Sequence, residues 1–71
     1  MITITSYRLV WDVDNHVGNV DIALQGAQPI MLRGVIATEF AALAAILNES
    51  PIAWEPTTRA IVTGVELPDG A

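Results

Sequence analysis

Between Asn19 and Gln25 apolar and polar positions alternate: Val20, Ile22 and Leu24 are apolar, Asn19, Asp21 and Gln25 are polar, and Ala23 is the small exception. Period two marks a half-buried strand, because successive side chains leave a strand on opposite faces. The preceding stretch, Ile2 to Val13, is rich in Thr, Ile, Val, Tyr and Trp, which fit a pleated surface, and it runs into Asp14-Asn15-His16 with Gly18 just beyond. A loop of Asn15-His16, or of Asp14 to Val17, pairs Trp11 with Val20, Leu9 with Ile22 and Tyr7 with Leu24. Two apolar sets then share one face, and a slip of one residue would separate them. The other face receives Arg8 with Ala23, Val10 with Asp21 and Asp12 with Asn19.

Gly26-Ala27-Gln28-Pro29 predicts a second turn. An odd-length loop sets Ile30 beside Leu24, Leu32 beside Ile22 and Arg33 beside Asp21, whereas a two-residue loop would bury Arg33. Pro29 then opens its strand, where a missing N–H is tolerated, particularly at a sheet edge.

A helix is expected from an N-cap at Thr38, with Glu39 in its first turn, to Asn48-Glu49 ahead of Ser50-Pro51. At 100° per residue Phe40, Leu43, Ala44 and Leu47 form the stripe that packs on the sheet, with Ile36 in line. Ala41, Ala42 and Ala45 lie on the back, with Ile46 at the margin. Trp54, in the connection from Ser50 to Thr58, closes one end of the core, and Arg59 to Leu67 reads as a fourth strand. A helix crossing back over the sheet lets that strand pair with the first in parallel, in the order 3-2-1-4. The expected fold is α+β: a three-stranded antiparallel meander, one helix on one face, and a C-terminal strand. Residues 1–67 form a single domain and 68–71 a flexible tail.

Composition changes the picture by what it removes. A chain of 71 residues stands near the lower limit of independent folding, where disulfides, a metal or an oligomer interface usually supply the deficit. With no cysteine and one histidine, disulfides are excluded and a metal site is not expected, which leaves association. A 52% hydrophobic and 15% charged composition is that of a folding chain. The only cations are Arg8, Arg33 and Arg59 against eight carboxylates, a net charge of −5, so nucleic-acid binding, which neutralises phosphates with basic residues, is not expected. The start, MITITSYRLV, lacks the basic and long apolar regions of a signal peptide. Ile30 to Leu47, interrupted by Arg33 and Glu39, falls short of the roughly 20 apolar residues of a membrane span. A cytoplasmic protein without membrane partners is expected.

Two surfaces are candidates for a partner. Phe40 to Asn48 carries no charge, so the back of the helix, Ala41, Ala42, Ala45 and Ile46, is a candidate interface in place of the Lys, Glu and Arg of a solvated helix face. The outer face of the sheet mixes Ile4, Val10 and Met31 with Arg8, Asp21 and Arg33. Asp21, directly across from Arg33 and diagonal to Arg8, is expected to form a cross-strand charge pair.

Reactive chemistry is sparse. Asp12-Val-Asp14-Asn15-His16-Val-Gly18 departs from a calcium loop, with its glycine one position late and Ala23 where the closing Glu should stand. Ser6 and Ser50 both lie away from His16, and no phosphate-cradling glycine loop, CxxC or HExxH occurs. His16 with Asp12 or Asp14 is the minimal set from which an enzyme could be built. No catalytic residue, cofactor or metal is assigned. The expectation is a self-associating, non-catalytic interaction module, most simply a homodimer. The alternative is a small-ligand-binding protein with an interface pocket near Trp54, Trp11 and Tyr7.

Overall fold

The computed structural model describes residues 1–64; Val65 to Leu67 of the expected last strand and the expected tail 68–71 lie outside the described residues. The elements are β1 (Ile2–Asp12), β2 (Val17–Leu24), β3 (Ile30–Val35), α1 (Ala37–Leu47), β4 (Ile52–Glu55) and β5 (Ala60–Thr63). All five strands form one antiparallel sheet in the order β3-β2-β1-β4-β5. The α+β class and the central position of β1 match expectation. The sheet has one strand more than expected, and the strand that flanks β1 is antiparallel to it.

That extra strand comes from Ile52–Glu55, four residues bracketed by Pro51 and Pro56 and too short to show a period. It leaves the end of α1, pairs Ala53 with Thr3 and Trp54 with Ile2, and turns back into β5, which therefore lies at the edge.

The first hairpin keeps the predicted faces but shifts its register by two residues. Tyr7 pairs with Ile22, Arg8 with Asp21, Leu9 with Val20 and Trp11 with Gly18. The cause is Asp12, whose Oδ1 accepts the N–H groups of Asp14 and Asn15, both at 3.1 Å, while Oδ2 accepts from Asn15 Nδ2 at 2.8 Å. The loop therefore starts at Val13 and closes at His16, whose N–H reaches the Asp12 carbonyl at 2.9 Å with φ at +57°. The β4–β5 turn repeats this design: Glu55 Oε1 accepts the Thr57 N–H at 3.1 Å, and Arg59 ends the turn at φ +54°.

The second hairpin has the expected odd-length loop, Gln25 to Pro29, with β3 at the edge. Its pairing is also displaced by two, with Val20 opposite Leu32 and Asp21 opposite Met31. The register shifts again near Gly34, whose N–H bonds the Asn19 Oδ1 at 3.3 Å, and Val35 is buried beyond it.

A bulge at Thr5 changes the phase of β1 between Ile4 and Ser6. Tyr7, Leu9 and Trp11 face the helix on one side of it, and Ile4 joins the same face on the other. The core comprises Ile4, Val20, Ile22, Leu24, Leu47, Ile52 and Trp54, with Ile2, Leu9, Ile30, Leu32, Phe40, Leu43 and Ile61 packed around it. Tyr7 and Trp11, expected in the core, remain 39% and 37% exposed at its margin. Trp11 instead meets Phe40, ring centroids 5.4 Å apart. Phe40 also lies directly on Gly18, where an added Cβ would come within 2.6 Å of Cε1 and 2.8 Å of Cγ.

The helix starts one residue before the expected cap. Phe40 N–H closes the first turn on the Ile36 carbonyl at 2.8 Å, so Ile36 takes the cap position without a side-chain bond and Thr38 lies inside the helix. Ile36, expected in line with the core stripe, is 56% exposed.

Candidate interaction surface

α1 buries one residue, Leu47, although nine of its eleven residues are apolar. Phe40, Leu43 and Ala44 are half-buried against the sheet, and Ala41, Ala42 and Ala45 are exposed. The four residues expected to share a helix interface divide into two groups. Ala42 and Ile46 turn into a cleft beside the helix, while Ala41 and Ala45, a little over a quarter turn round, look outward.

The cleft, of about 500 Å³, runs between α1 and the ends of the sheet. Glu39, Ala42, Leu43 and Ile46 form its helical wall, and Leu32 of β3, Trp54 of β4, Ile61 of β5 and Arg59 form the rest. Arg59 is positioned by its turn: the left-handed backbone brings its guanidinium carbon to 5.5 Å from the centroid of the Trp54 ring, a cation–π contact. Trp54 is 6% exposed, so its ring supports the arginine from below. Glu39 occupies the first turn of α1, where a carboxylate favours the helix dipole. Neither Glu39 nor Arg59 lies within ion-pair distance of an opposite charge among the described residues.

The outer sheet face presents Arg8, Met31 and Arg33 exposed and Val10 and Asp21 half-buried. Ile4 does not belong to it. The bulge at Thr5 turns Ile4 inward to 7% exposure, which removes it from the expected sheet-face interface. Asp21 does hold an arginine, with the partners' places exchanged: Arg8 is directly opposite, and Arg33, on the diagonal, donates from Nη1 to Asp21 Oδ1 at 2.7 Å. Both side chains of the pair are open to water, so it contributes only a few tenths of a kcal/mol to about 1 kcal/mol.

The aromatic residues of the expected ligand pocket do not converge. Trp54 lines the cleft, Trp11 packs on Phe40, and Tyr7 borders a separate depression with Leu47 and Ser50. At the hairpin tip the Asp12 carboxylate is held below its ordinary pKa of 3.8, first by the Asn15 side-chain amide and then by the Asn15 N–H, with desolvation opposing them and the Asp14 N–H adding least. Its oxygens are taken up by the turn, beside an exposed His16.

Sequence reasoning missed Glu39, Arg59 and Ile61 as surface-forming residues and assigned Leu32 and Leu43 wholly to the core. Nothing in the pattern marks Arg59, because its placement depends on a strand bracketed by two prolines. Among the described residues no helix is long and apolar enough to cross a membrane. Comparison of the chain with protein-family models, with curated proteins and with solved structures finds no match in any of the three.

Proposed function

We propose that this protein is a small cytoplasmic interaction module without catalytic activity, working as a homodimer assembled through the apolar surface of α1. The observation that carries this reading is the single buried residue of a helix that has no charge from Phe40 to Asn48. An apolar helix left open on one side is normally covered by protein. The limited core supports the same reading, since domains of this size gain stability from association when disulfides and metals are absent. The test is native mass spectrometry of the wild type and of Ala42→Glu. A mass of twice 7.6 kDa that falls to a single chain in the variant is expected; a wild-type protein that is monomeric throughout contradicts it.

A second reading, small-ligand binding, is favoured by the cleft itself, which combines apolar walls with one carboxylate and one guanidinium. A ligand seated there would shift Trp54 emission, and a screen of small apolar acids that leaves the emission unchanged removes this alternative.

A further inference from the structure

The cleft carries opposite charges on its two walls, Glu39 on α1 and Arg59 on the β4–β5 turn, with Ala42, Ile46 and Ile61 among the apolar residues lining it. In a two-fold interface residue i of one copy meets residue j of the other and j meets i, so a surface with one cation and one anion is complementary to itself. An axis lying across the cleft mouth, midway between the two charges, sets each Glu39 against the other copy's Arg59 and closes apolar wall on apolar wall. We infer that the cleft is the dimer seat, occupied by a second copy of this chain, with two reciprocal Glu39–Arg59 pairs fixing its register. This rests on the self-association proposed above and specifies the face, placing Ala42 and Ile46 inside the contact and Ala41 and Ala45 outside it. The cation–π contact with Trp54 holds Arg59 at the cleft before association, which limits the ordering lost on binding.

Charge exchange between separate samples tests this. Glu39→Arg alone and Arg59→Glu alone each place like charges across the axis twice, and each is expected to weaken dimerisation by roughly tenfold or more, because like-charge juxtaposition is strongly penalised. Mixing the two variants restores an opposite-charge pair at both positions, so native mass spectrometry of the mixture should show the heterodimer and little of either homodimer. An interaction within one chain could not be rescued by mixing. Because the chain has no cysteine, Glu39→Cys and Arg59→Cys provide a second measurement that does not require reversed charges. A short bismaleimide should link the two in a mixture and link neither variant to itself. A wild-type dimer whose mass is unaffected by either charge reversal, without heterodimer preference or mixed cross-link, overturns the cleft as the seat and leaves self-association standing. A wild type that is monomeric at every concentration, or a single chain carrying a small ligand in the cleft, overturns both.

Discussion

In β2 every second residue is buried, whereas α1, with nine apolar residues in eleven, buries only Leu47. The strand is flanked by β1 and β3 and covered by the helix on one face, so its alternation of Val20, Ile22 and Leu24 with Asn19, Asp21 and Ala23 becomes an alternation of burial. The helix is apolar nearly all round, and only its larger side chains give it a phase: Phe40, Leu43 and Leu47 meet the sheet as their spacing predicts, while Ala41, Ala42 and Ala45 stay open. Hydrophobicity states how much surface seeks cover, and periodicity states where that cover lies. The difference between the two elements is the surface left for a partner.

The largest effect that tests this contrast is in β2. Ile22 is fully buried, and Ile22→Ala should cost about 2–5 kcal/mol in urea unfolding. A cost below 1 kcal/mol would mean that β2 is not the centre of the core. Gly18→Ala comes next, since its Cβ would overlap the Phe40 ring, and about 1–3 kcal/mol of destabilisation is expected from overpacking. Combining it with Phe40→Ala should be markedly non-additive, because the two residues share that space. On the helix, Ala45→Glu should change stability by no more than about 0.5 kcal/mol, as for an exposed site, and leave the native mass unchanged. Ala42→Glu should abolish the dimer, and equal behaviour of the two variants would erase the distinction between the cleft and the outward face. A double-mutant cycle on Asp21 and Arg33 should return about 0.2–1 kcal/mol, falling with added salt.

The smallest effect concerns the turn. The pKa of Asp12 is lowered in the folded state, so the unfolded chain binds the proton more readily and the contribution of the turn is present above the ordinary value of 3.8. It is lost as pH falls through the lowered pKa. Wild type and Asp12→Asn should therefore differ in urea midpoint at neutral pH and converge in strong acid. A difference that stays constant with pH would show that the carboxylate charge does not organise the turn.

The legible parts of the fold are those governed by parity. The faces of Leu9, Val20, Ile22, Ile30 and Leu32, the odd second loop and the helix following β3 all follow from periods of two and 3.6. What escaped was decided by single side chains and single extra residues. Asp12 starts its loop early and moves the register by two, and Thr5 adds a bulge that carries Ile4 from the outer face into the core. Ile52–Glu55 is too short for a period to be visible. The candidate surface was legible in kind, as an uncharged helix, and Ala42 and Ile46 of it line the cleft, but the wall facing them was not. Arg59 reaches the cleft only because a four-residue turn folds it back over Trp54.

Sedimentation equilibrium of the wild-type protein over a wide concentration range tests most directly whether the open side of α1 is covered by a second copy. Data that fit a reversible monomer–dimer equilibrium, approaching twice 7.6 kDa as concentration rises, are predicted. A single species of 7.6 kDa at every concentration would contradict the account.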